Sequence, residues 1–145
     1  MFNFIRTNIA LNLILGLFLF GSSALAKEKS LYKRLGETKA IIAVVEEFVA
    51  RVAADNRINN FFASTDIPKL KQHLVNQICE ASGGPCKYTG RDMKSAHKGM
   101  GVSGSDFSAL VEDLVGALDK FKIGENEKKE LLAVLGPMKT DIVEK

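Results

Sequence analysis

Two histidines, two cysteines and a few methionines carry most of the chemistry open to this chain. His73 and His97 are the only imidazoles in 145 residues. His73 follows Leu70 by three positions and directly precedes Leu74; His97 follows Met93 by four. A neutral imidazole is the commonest protein ligand for a transition metal. Met93 and His97 share one helical face, and with Met100 and a thiol they would form a soft set suited to Cu(I). Cys79 and Cys86 lie seven positions apart around Gly83-Gly84-Pro85. In an oxidising compartment their union would be worth about 2–3 kcal/mol in loop entropy. Left free, Cys79 would act as a small buried apolar side chain. Other chemistries are missing. There is no G-x-x-x-x-G-K-[ST] phosphate loop, no G-x-S-x-G elbow, no H-E-x-x-H, no C-x-x-C and no C-x-x-C-H. No catalytic residue set is expected.

The elements that must position these side chains read as helices. Residues 38–54 carry Ile41, Val44, Val45, Phe48 and Val52 on one face, with Glu46, Glu47 and Arg51 off it. Ile58, Phe61 and Phe62 form a short corner. A second helix begins at Asp66, a capping carboxylate, with Pro68 in its first turn and a stripe of Ile67, Leu70, Leu74 and Ile78. Gly83-Gly84-Pro85 ends it. A short helix over 92–98 presents His97. A long one over 105–121 presents Phe107, Leu110, Val111, Leu114, Leu118 and Phe121. A last one over 125–143 uses Leu131, Val134, Leu135, Met138 and Ile142, with a kink expected at Pro137. No strand alternation is found.

Lys and Arg number 20 against 17 Asp and Glu, without a basic run, so a nucleic-acid partner is not expected. The apolar fraction of 46% excludes a disordered chain. Residues 1–26 have the parts of a secretory leader: Arg6, the apolar stretch Ile9 to Phe20, and Ala24-x-Ala26 before charged Lys27. Cleavage after Ala26 would leave one domain, 27–145, exported to an oxidising space such as the bacterial periplasm and free of the membrane.

Taken together, several motifs form a pattern. They are Tyr32-x-x-Leu35-Gly36, Val44-Val45-Glu46-Glu47-Phe48, Asp55-x-x-Ile58-x-x-Phe61-Phe62, Thr65-Asp66-Ile67 leading to His73, Gly83-Gly84-Pro85, Tyr88-x-Gly90-Arg91-x-Met93 and Ala96-His97. From about Leu31 to Val143 the chain resembles the group 1 truncated haemoglobins. The resemblance implies an all-α fold, the two-over-two helical sandwich, and one haem b per chain. It implies His97 as proximal iron ligand, reversible binding of dioxygen, nitric oxide or carbon monoxide, and a reductase as partner. Phe48, Phe62, Leu70, Leu74, Ile78, Met93 and Phe107 are expected to wrap the macrocycle, with Lys71 or Arg91 near its propionates. Some members carry a histidine at the position of His73, where it closes on the iron as a second axial ligand.

The pattern also departs from the family. Val49 stands where members often have Tyr, and Leu70 and Leu74 where Gln is frequent, so the usual donors to bound dioxygen are absent. Glu37 replaces the second glycine of the opening pair, which puts the local turn in doubt. Two other readings keep their place: a bis-histidyl haem protein for electron transfer or redox sensing, and an exported copper protein built on Met93, His97 and Met100.

Overall fold

The structure, a computed structural model, describes residues 28–145; the expected leader, 1–26, lies outside the described residues. The helices are α1 (Leu31–Arg34), α2 (Glu37–Ala54), α3 (Ile67–Ala81), α4 (Met93–His97), α5 (Gly104–Lys120), α6 (Glu125–Leu135) and α7 (Lys139–Ile142). Short 3-10 turns cover Asn59–Phe62 and Gly136–Met138. Among the described residues there is no strand, and no helix is long and apolar enough to cross a membrane.

α2 is the central member and packs against both α3 and α5. Its apolar positions Ile41, Val44, Val45, Phe48 and Val52 are all buried, as is Val49. Leu118 of α5 and Leu131 of α6, each 1% exposed, complete the core on the other side. Such side chains contribute about 1.5–3 kcal/mol each on burial. α1 closes one end against α6, and α7 packs on α4.

The entry to α2 keeps its turn without the second glycine. Gly36 sits at φ +96° and Glu37 at φ +63°, both in the left-handed region. The conformation costs an ordinary residue about 1–2 kcal/mol. Tyr32 stabilises it: its hydroxyl bonds Thr38 Oγ1 at 2.9 Å and accepts the Thr38 amide at 3.2 Å.

α3 begins as its sequence indicates. Asp66 Oδ1 accepts the Lys69 amide at 3.0 Å, with Pro68 in the first turn. Its end turns sharply because Gly84 has no side chain: a Cβ there would lie 2.7 Å from Cys79 Sγ and 2.6 Å from the Tyr32 ring. That close approach brings the chain back to Cys79, and Cys79 and Cys86 are joined in a disulfide with Cα atoms 5.7 Å apart.

Two expectations need correction. The last stretch is not one kinked helix. Pro137 has no amide to donate and cannot continue α6, so the chain passes through Gly136–Met138 as a 3-10 turn before α7. Phe121 and Val134 do not join the core; they are 41% and 38% exposed. Phe121 stands past the last residue of α5, and Val134 lies off the face of α6 that turns Leu131, Leu132 and Leu135 inward.

Candidate functional site

A cavity of about 1180 Å³ opens between α2, α3, α4 and α5. It is larger than the roughly 300–1,000 Å³ of ordinary small-molecule pockets. All seven apolar residues expected at a pocket line it: Phe48, Phe62, Leu70, Leu74, Ile78, Met93 and Phe107. His73 reaches it from α3 and His97 from α4, so the chain's two histidines share one chamber.

The His97 ring is fixed by its own helix. Its Nδ1 lies 2.7 Å from the carbonyl oxygen of Met93, one turn back. A carbonyl only accepts, so the ring donates Nδ1–H, and the neutral imidazole is left with a bare lone pair on Nε2. A carbonyl in this place fixes the orientation of a metal-binding histidine and raises its basicity. Asp92 caps the helix, Oδ1 accepting the Ser95 amide at 2.8 Å.

His73 is held differently. Its ring meets Tyr88 edge to face, centroids 6.0 Å apart and planes at 69°. Its Nδ1 is buried and has no hydrogen-bond partner among the described residues. A buried polar atom left so is costly, and protein interiors seldom tolerate one.

Tyr88 belongs to the family pattern in the sequence but carries no site role there, because it sits in a loop without periodicity. Its hydroxyl donates to the Arg91 carbonyl at 2.7 Å, and its amide donates to the Glu80 carboxylate at 3.0 Å. Burial pushes its phenol above the usual value, and the amide holds the Glu80 carboxyl below its own. Gly90 makes room for the ring, since a Cβ there would lie 2.3 Å from the hydroxyl. The sign available in sequence was the Tyr88-x-Gly90 spacing.

Gln77, one turn beyond His73, was also missed. It lines the cavity, and its Nε2 points at the sulfurs of Met138 and Met93 at 3.4 and 3.6 Å. The chamber therefore lacks donors at Val49 of α2 and at Leu70 and Leu74 of α3 but carries one side-chain amide further along α3.

The charged rim differs from expectation in one place. Arg91 lines the cavity, joined by Lys69 and Lys139. Lys71 does not; it pairs with Glu46 of α2. The copper reading loses its thiol, because both cysteines are in the disulfide. Nor do the described residues contain any cluster of three His, Cys, Asp or Glu side chains that could hold a metal.

These features fit a flat apolar macrocycle with a central metal: walls dominated by aliphatic and aromatic side chains, one imidazole with a free lone pair, a second with an unpartnered nitrogen, and cations at the rim. Comparison with known proteins points the same way. A family model described as bacterial-like globin matches residues 30–144. A group 1 truncated hemoglobin of Synechocystis is 39% identical over 111 residues, covering 74% of this chain and 90% of the relative. One from Mycolicibacterium paratuberculosis is 34% identical, covering 81% and 86%. Among solved structures, truncated hemoglobin from Tetrahymena pyriformis in its Fe(III) form superposes with a TM-score of 0.78 at 30% identity, covering 81% of this chain and all of the other. A Synechococcus 2/2 hemoglobin, solved in the cyanomet state with covalently attached heme, does so at 0.75 and 32%, with the same coverage.

Proposed function

The chain belongs to the bacterial-like globin family, among the group 1 truncated haemoglobins, and on that premise we propose that His97 holds the iron of one haem b in this cavity. It is a haem-binding globin, and its ligands are diatomic gases. The observation that carries the assignment of His97 is its Nδ1–H bond to the Met93 carbonyl at 2.7 Å, which leaves Nε2 as the free donor. Haem in such a site supplies reversible gas binding and one-electron redox chemistry. The chain's own residues do the rest. Phe48, Leu70, Leu74 and Phe107 exclude water, which strengthens every polar contact inside. Lys69, Arg91 and Lys139 give the rim positive charge for the two propionates.

In this reading His73 would supply a second imidazole to the iron. Its unpartnered Nδ1 shows a ring desolvated without a hydrogen bond of its own, and Val49, Leu70 and Leu74 offer no rival donor. With His73 so engaged, apparent affinity for an external gas would fall by the fraction of molecules in which it is disengaged. The same observation favours a second reading, a bis-histidyl electron-transfer or redox protein that works with a reductase. Export is part of the proposal too. The Cys79–Cys86 disulfide suits an oxidising compartment, and purified secreted protein should begin at Lys27.

Absorption spectra of the ferric, ferrous and carbonmonoxy forms test the assignment. His97→Ala should lose haem. His73→Ala should lose the low-spin ferrous spectrum and bind carbon monoxide faster. An unchanged spectrum and rate in His73→Ala refutes the second ligand, and a His97→Ala variant that retains haem refutes the first. Wild-type protein that refuses carbon monoxide at saturation favours electron transfer over gas binding.

A further inference from the structure

α4 has five residues, little more than one turn, and a helix so far below about 12 residues has no stable orientation of its own. Its direction is set from outside. Asp92 fixes the front. At the back the chain leaves His97 through Gly99, Met100 and Gly101, and both glycines are left-handed, at φ +79° and +67°. Their amides converge on one carboxylate: Gly99 N–H donates to Glu144 Oε1 at 2.7 Å and Gly101 N–H to Oε2 at 2.6 Å. Converging amides of this kind form an anion cradle, and here the chain fills it itself. Bonds from amides to a full negative charge are roughly twice as strong as neutral ones. The tail is tied down as well. Glu144 N–H donates to the Val102 carbonyl at 2.8 Å, and Gly104 N–H to that of Lys145 at 3.3 Å. Ile142, two residues before Glu144, is buried and lines the cavity. Glu144 thus joins the loop behind the proximal histidine to an element that packs on α4.

We infer that Glu144 is the positioning residue for His97: by clamping the Gly99 and Gly101 amides, it sets the direction in which α4 presents the imidazole to the iron. The inference rests on His97 as proximal ligand. The Met93 carbonyl holds the ring within α4, so the direction of its Nε2 follows that of the whole short helix. Glycine is needed at both positions, since an L side chain is strained there whatever the space.

The test uses haem-loaded full chain in a His73→Ala background, where the ferrous iron keeps only its proximal ligand. The readout is the iron–histidine stretching band in resonance Raman, with haem transfer to excess apoglobin as the second measurement. Glu144→Gln keeps the size of the side chain but turns an N–H₂ toward one of the two amides. It should move and broaden the band and speed haem loss tenfold or more, the usual scale for a residue behind a ligand. Gly99→Ala, which displaces one amide without touching the carboxylate, should move the band too. Asp141→Asn, which removes an exposed charge from the same tail but touches neither the clamp nor the cavity, should leave it in place. A Glu144→Gln band at the wild-type position with haem loss within twofold overturns the inference, as does an equal shift in Asp141→Asn. A background protein with Glu144 intact but no iron–histidine band overturns the His97 assignment itself, a different result from an unshifted band.

Discussion

Cutting the Cys79–Cys86 link should cost about 2–3 kcal/mol, and the structure allows that figure to be worked. The sequence separation is 7. For a loop that short, the chain-entropy relation gives roughly 8 cal/mol/K, or about 2.4 kcal/mol at 25 °C. The Cα atoms are 5.7 Å apart, inside the usual range, so the backbone needs no distortion to close the loop. The cleanest perturbation is Cys86→Ser. Cys79 is fully buried and would stay in place as a small apolar side chain, while Cys86 is only partly buried. A domain of about 120 residues has an unfolding entropy near 0.25 kcal/mol/K, so the melting temperature should fall by about 10 °C. The assay is thermal unfolding by circular dichroism at fixed haem saturation, because bound haem raises the midpoint by mass action. Reduced wild type should match Cys86→Ser. Oxidised and reduced midpoints within 2 °C of each other would refute the reasoning, and would mean that the unfolded chain already holds this segment closed.

Two further outcomes follow from burial and charge. Leu118→Ala should cost about 4 kcal/mol, toward the top of the usual range for such a truncation, because Leu118 already borders a small apolar void shared with Leu35, Val44 and Ile78 that the new space would enlarge. Urea unfolding with an unchanged m-value checks this, and a loss below 1.5 kcal/mol would contradict it. Asp113 has its carboxyl pushed above the ordinary value by burial, then by the nearby charge of Asp55. A carboxyl whose folded value exceeds its unfolded one binds more protons when folded, so its contribution to stability is lost as pH rises through that interval. Asp113→Asn should therefore be more stable than wild type at pH 7, with the gap closing below about pH 4. Urea midpoints at several pH values decide it; a gap that stays constant with pH would mean that charge is not the cause.

Which parts of the site could be read from sequence follows from what periodicity reports. Leu70, Leu74 and Ile78 recur on one face of α3, and Met93 and His97 on one face of α4, so the apolar wall and the place of His97 on the cavity are legible from spacing together with the family pattern. Periodicity marks an apolar face but not what lies opposite it. That is why spacing assigns Val134 to the core although it is exposed; the family pattern likewise does not report that Glu46 of α2 holds Lys71 away from the rim. The residues missed are those whose role comes from a partner brought near only by the fold. Tyr88 is a loop residue until His73 is beside it, and Gln77 a solvated amide until Met93 and Met138 flank it. Glu144 reads as a charged tail until Gly99, 45 positions earlier, points its amide at it. These three share a consequence. Each touches something that the apolar wall does not hold: the ring of His73, the thioethers of Met93 and Met138, and the loop that follows α4. Hydrophobic burial is non-directional and can hold a macrocycle in the chamber. The direction of an imidazole needs directional bonds, and in this chain several come from polar groups in loops and at the carboxyl end, where sequence patterns carry little signal.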